Sequence, residues 1–113
     1  MAGIAATAKA LRLSMEKLDI FTSKTEQMKA VIRQALRDYP DIFVFSDEED
    51  FAPHILTFGI KGVRGEVIVH AFEDYDIFIS TTSACSSKAG KPAGTLIAMG
   101  VDKDKAQSAV RLS

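Results

Sequence analysis

A single cysteine among 113 residues rules out an internal disulfide, and that scarcity of thiols agrees with a reducing compartment. No apolar run approaches the length of a membrane span, and the opening stretch MAGIAATAKALRLSMEK lacks the basic-then-apolar profile of a secretory leader. Neither secretion nor anchoring in a membrane is expected, and a cytoplasmic protein is. Charge of one sign is missing too. The 14 Lys and Arg nearly balance the 15 Asp and Glu, mixed along the whole length to a net charge of −1, so no basic stripe awaits nucleic acid and no cationic face awaits anionic lipid. No repeat, low-complexity tract or linker interrupts the chain. What is there is the composition of one ordinary soluble domain, 47% hydrophobic and 26% charged, able to bury a continuous core.

Helical spacing dominates the first third. Ile4, Ala8, Leu11, Met15 and Leu18 recur at steps of three and four, and Met28, Val31, Ile32, Ala35, Leu36 and Tyr39 repeat the pattern, so both stretches are expected to press one face on a core. Between them SKTE, residues 23–26, has the form of a capping box. It predicts a bend or restart near residues 21–23, with one continuous helix as the alternative. Pro40 closes the region, because its ring blocks helical continuation. Short aromatic and β-branched runs then predict strands over 42–46 and 54–60. RGEVIVHAFEDY carries Val67, Ile68, Ala71, Phe72 and Tyr75 on one stripe and reads as a helix. DIFIST reads as a strand, PAGTLIAMG as a short helix with glycine after its end, DKDKAQSAV as a helix capped by Asp102, and VRLS as a closing strand. That order predicts an α+β fold of two layers, a mostly antiparallel sheet with helices on one face.

Several polar clusters invite functional readings and have plainer ones. The acidic residues 47–50 lack the glycine-set turn and alternating ligands of a hard-cation loop, which favours a solvated loop. KGVRGE, residues 61–66, has the wrong spacing for a phosphate-binding fingerprint and reads as a strand-to-helix turn. His54 and His70 have no metal-ligand neighbour at short spacing, so both are expected to be structural or solvent-facing and no metal site is expected.

Cys85 differs from these. It sits in STTSACSSKAG, residues 80–90, and the stretch 81–92 is composed of small and polar residues that cannot bury themselves. An exposed and mobile loop is expected. Nearby Lys88 and Lys91 favour a thiolate, the form of cysteine that attacks, and a flexible nucleophile suits a carrier that takes sulfur up in one place and delivers it in another.

From about Pro53 onward, HILTFGIKGVRGEVIVHAFEDYDIFISTTSACSSKAGKPAGTLIAMGVDKDKAQSAVRLS resembles the C-terminal small domain of the cysteine desulfurases, the NifS/IscS-like branch of the class V aminotransferase superfamily. STTSACSSKAGKP, then LIAMG, then VRLS carry the resemblance most specifically. It implies residues 1–40 as a helical lead-in packed on the domain and 41–113 as the small domain, with the cysteine loop over 80–92. It also implies that Cys85 attacks the sulfur of L-cysteine held on pyridoxal phosphate, releasing alanine and keeping a persulfide, while Arg111 binds the substrate's α-carboxylate. Without the family pattern, Arg111 would read as an edge-strand arginine paired with a surface acid. The implied partners are L-cysteine and a sulfur acceptor, either an iron–sulfur scaffold or a tRNA-thiolation enzyme, and the parent enzyme is implied to be a homodimer.

The departures from that pattern shape a further expectation. Family members are about three times this length, and no lysine here sits in their cofactor motif, so no cofactor-binding residue is assigned to this chain. Thr82 stands where a glycine is common, and the sequence stops at RLS before the helix that usually completes the domain. MAGIAA resembles a methionine set before a mid-protein helix, and a piece of a longer desulfurase, inactive alone, is the expectation. A free-standing persulfide relay module is the alternative from another class, a plain binding domain with an idle thiol is a third, and selenocysteine remains open as substrate.

Overall fold

The computed structural model describes residues 1–46, 51–81 and 93–113. Helix fills the first third as two elements, α1 (Ala2–Glu16) and α2 (Leu18–Arg37). They part at Lys17, whose N–H donates to the Ser14 carbonyl at 3.3 Å and whose own carbonyl accepts from Phe21 at 2.9 Å. The restart therefore falls ahead of residues 21–23, and SKTE is not a cap. Inside a continuing helix the backbone donors are already taken by preceding carbonyls, so a capping box has nothing to satisfy. Thr25 turns its hydroxyl back onto the Phe21 carbonyl at 2.8 Å instead.

The apolar stripes also divide differently from expectation. No residue of α1 is buried, and Ile4, Leu11 and Met15 are all exposed. It is α2 that meets the sheet: Leu36 packs against the core near its C-terminal end, and Met28 and Ile32 face Leu56 and Leu112 of the sheet across a groove.

The sheet has four strands, β1 (Ile42–Val44), β2 (Leu56–Ile60), β3 (Ser80–Thr81) and β4 (Val110–Leu112), in the order β1-β2-β4-β3 with every pairing antiparallel. Register aligns Val44 with Phe58 and Phe58 with Val110. Side chains alternate across a strand, so these residues share one face. On it lie Phe58, Ile68 and Val110, joined by the half-buried Leu36, Ile42, Val44 and Phe72. Ile68 and Phe72 come from α3 (Gly65–Glu73).

The opposite face is covered as well, which corrects the expectation of helices on one face only. α4 (Gly94–Ala98) and α5 (Lys103–Gln107) build a second cluster of Ala93, Leu96, Ala106 and Ala109, against which Phe45 and Val101 pack. Small residues make this possible. A Cβ added at Gly59 would overlap the Ser108 hydroxyl and stand 2.8 Å from the Phe43 ring, so glycine there is what lets the α5 end close onto the sheet.

Local signals account for most element ends. Gly100, at φ +82°, closes α4, with its N–H bonded to the Ile97 carbonyl and that of Val101 to Leu96. Asp102 caps α5 by accepting from the Asp104 N–H at 3.0 Å. The strand expected from DIFIST shrinks to Ser80–Thr81, because Asp76 takes a left-handed φ of 57° and, with Ile77, is spent on closing α3. Ile77 N–H reaches the Phe72 carbonyl and Asp76 N–H that of Glu73, the paired bonds of a Schellman ending.

Beyond Val44 the first strand pairs irregularly. Phe45 N–H donates to the Thr57 carbonyl at 2.8 Å, while Thr57 N–H finds its acceptor in the Ser46 hydroxyl at 2.9 Å. Two residues thus oppose one, in the manner of a β-bulge, and the Ser46 side chain, 1% exposed, stands in for a backbone carbonyl. Removing that hydroxyl leaves a buried N–H unpaired. Ser46→Ala is expected to lose about 1–3 kcal/mol of stability in urea unfolding. Gly59→Ala is expected to lose about 1–3 kcal/mol by overpacking, a loss that Gly59→Ala combined with Ser108→Ala partly recovers.

Candidate functional site

β4 runs through the interior of the sheet, between β2 and β3. Val110 is wholly buried, so its neighbour Arg111 points to the other face, and there it is exposed. Its direct cross-strand partners are Thr57 on β2 and Ser80 on β3. Among the described residues no carboxylate or other hydrogen-bond partner engages the guanidinium. Arg111 is therefore neither on an edge strand nor paired with a surface acid, as an arginine at this position would otherwise have been read.

Cys85, with Lys88 and Lys91, lies outside the described residues, as do the acidic residues 47–50. The anchors on either side of residues 82–92 are described, and both abut β4. Thr81 pairs with Val110, and Ala93, 3% exposed, packs in one cluster with Ala109. The described residues on either side of the stretch carrying the only thiol thus meet Val110, one residue from Arg111, and the cluster of Ala109, two residues from it.

Both histidines lie away from this strand's centre. His70 is exposed on α3, with Nδ1 2.9 Å from Glu73 Oε2. His54 is exposed, its ring 6.2 Å from that of Phe21. Among the described residues no group of three or more His, Cys, Asp or Glu could hold a metal, and no helix is long and apolar enough to cross a membrane. KGVRGE forms the β2–α3 turn, with Gly62 at φ +75°.

Two concavities flank the sheet. An open cleft of about 740 Å³ lies between the β2–α3 turn and α5, where Lys61, Arg64 and Lys105 share the rim with Asp41, Asp102 and Asp104. A smaller apolar groove of about 380 Å³ runs between α2 and the ends of β2 and β4, lined by Met28, Ile32, Leu56 and Leu112. A cradle for pyridoxal phosphate needs a lysine amine withdrawn from water to form the Schiff base. Every described lysine except Lys29 is exposed, and the Lys29 ammonium donates to the Ala52 carbonyl at 3.3 Å. The described residues do not fit that cofactor.

Sequence reasoning singled out Arg111 but missed its flanking hydroxyls. Thr57, in the otherwise apolar run ILTFGI, was the available signal.

The class-V aminotransferase family profile matches residues 1–113. A "NifS/IcsS protein homolog" of Lactobacillus delbrueckii subsp. bulgaricus is 48% identical over 114 residues, covering 100% of this chain and 30% of that protein. "Cysteine desulfurase IscS" of Photorhabdus laumondii is 27% identical over 97% of this chain and 27% of its own length. Among solved structures, a "NifS-like protein" superposes with a TM-score of 0.80 at 25% identity, over 98% of this chain and 27% of that one. A NifS-like protein from Rickettsia africae shares the fold with a TM-score of 0.73 at 19% identity, over 89% of this chain and 25% of its own. The chain spans less than a third of the length of these relatives.

An exposed arginine without a partner contributes little to folding. Arg111→Gln is expected to change unfolding free energy by less than about 0.5 kcal/mol, measured by urea denaturation; a larger loss would mark the residue as structural.

Proposed function

Because the chain belongs to the class-V aminotransferase family, with NifS/IscS-type cysteine desulfurases among its relatives, we propose that these residues form the small C-terminal domain of such a desulfurase. Arg111 binds the α-carboxylate of L-cysteine, since a guanidinium pairs with a carboxylate through two parallel charge-assisted bonds. The Cys85 thiolate attacks the substrate sulfur. A sulfur–sulfur bond forms as the carbon–sulfur bond breaks, the electron pair stays with the substrate carbon, and protonation of that carbon gives L-alanine. A persulfide remains on Cys85.

Pyridoxal phosphate, when bound, supplies the electron withdrawal that makes the carbon–sulfur bond labile. Its Schiff-base lysine and phosphate groups are assigned to parts of the enzyme other than this chain. The persulfide sulfur passes to an acceptor protein in the cytoplasm, an iron–sulfur scaffold or a tRNA-thiolation enzyme, and the whole enzyme is a homodimer.

What supports this reading is the placement of one strand. Arg111 lies exposed and unpaired among the described residues, Thr81 pairs with its neighbour Val110, and Ala93 packs in one cluster with Ala109, two residues away. Cys85 is four residues past Thr81, so chain geometry alone keeps the two Cα atoms within about 14 Å. A nucleophile and a carboxylate anchor are thereby tied to two paired strands, β3 and β4.

The 113-residue chain given pyridoxal phosphate and L-cysteine is expected to release no alanine. Alanine release abolished by Cys85→Ser would overturn the assignment of the cofactor to another part of the enzyme. Mixing with an intact desulfurase and cysteine is expected to leave Cys85 without added sulfur by mass spectrometry, whereas gain of one sulfur there would mark the chain as a relay.

A further inference from the structure

Across the middle of the sheet, on the face opposite the Phe58, Ile68 and Val110 core, three polar side chains stand in one row. Thr57, Arg111 and Ser80 occupy directly opposed positions on β2, β4 and β3. Opposed side chains in antiparallel pairs are about 4.5–5.5 Å apart at Cβ, so the Thr57 and Ser80 side chains both neighbour that of Arg111. Thr57 is 9% exposed and Ser80 half-buried. Among the described residues neither hydroxyl is engaged in a side-chain hydrogen bond, and the guanidinium has none either. These two hydroxyls are the direct cross-strand neighbours of the guanidinium-bearing residue, and both are unspent in side-chain hydrogen bonds among the described residues.

The chemistry of the pair with a carboxylate gives the row a use. A guanidinium carries five N–H donors, and a two-pronged carboxylate takes two of them. The rest need acceptors if the fork is to keep one orientation. We propose that Thr57 and Ser80 are positioning residues for Arg111, their hydroxyl oxygens accepting from the guanidinium donors that a bound carboxylate leaves unused. The inference rests on the reading of Arg111 as the carboxylate anchor and adds the two residues that aim it.

Both flanking side chains are short, so neither covers the head of the arginine, and neither carries a charge that would neutralise it. Thr57 is held firmly, because its carbonyl accepts from Phe45 N–H and its own N–H donates to the Ser46 hydroxyl. Ser80 opens β3, the strand that leads into residues 82–92. An apolar residue at either position frees the fork to swing. A carboxylate at position 80 captures it.

The test follows the Arg111 Nε–Hε signal of the ¹⁵N-labelled 113-residue chain by NMR during titration with acetate at constant ionic strength, with chloride as the control. In the wild type the signal is expected to move saturably with acetate and not with chloride. Thr57→Val and Ser80→Ala are each expected to weaken the apparent affinity about three- to tenfold, with Thr57→Ser and Ser80→Thr restoring it. Ser80→Asp is expected to shift the signal before any acetate is added and to abolish the response. Backbone amide spectra report whether each variant is folded, and Ser80→Ala decides alone if Thr57→Val is not. An unchanged acetate response in the folded variants overturns the positioning role and leaves the anchor intact. A wild-type signal indifferent to acetate overturns the anchor, and the positioning role with it.

Discussion

The complete burial of Val110 governs the geometry of everything around it. A strand places successive side chains on opposite faces, so committing Val110 to the core commits Arg111 to the far side, and a slip of one residue would invert both. Crowding on β4 and its approach strengthens the commitment. Gly65 comes so near the strand's approach that a Cβ there would stand 2.9 Å from the Ala109 carbonyl, and Ala93 and Ala106 press on Ala109 from the side of the short helices. Arg111 is thus a cationic side chain held out by a neighbour held in.

The same constraint explains why the sheet carries helices on both faces. Phe58 and Val110 fill one side with bulk, and Gly59 and Thr57 leave the other side low. The low side admits the α4–α5 unit near Gly59 without covering Arg111. Ser46 secures the arrangement from a distance, because its hydroxyl fixes Thr57 at the point where β1 departs from regular pairing.

What was legible in the sequence was local. Asp102 as a cap, Gly100 as a stop and the KGVRGE turn each depend on a few adjacent residues, and each stands where the pattern put it, whereas of the α3 stripe only Ile68 and Phe72 meet the core while Val67, Ala71 and Tyr75 are exposed. What was not legible depends on distant parts of the chain. Whether Arg111 lies on an edge or an inner strand is decided by strand order, which local periodicity does not encode, and the side of the sheet taken by α5 is decided by Gly59 meeting Ser108. Asp76 shows a subtler loss, since a left-handed residue turned the first two residues of an apparent strand into a helix ending. The resemblance named the family and singled out Arg111, but Thr57 and Ser80 became visible as its neighbours only through register.

The first helix brings a different consequence. Its fifteen residues include no buried side chain, and a helix of that length is marginal in water without packing to support it. Its backbone amides should therefore exchange with solvent deuterons fastest among the helical ones, and a protease should nick the chain there before it reaches the sheet. Among the described helices and strands, then, the most deeply buried side chain lies one residue from the arginine and the least supported helix at the amino terminus.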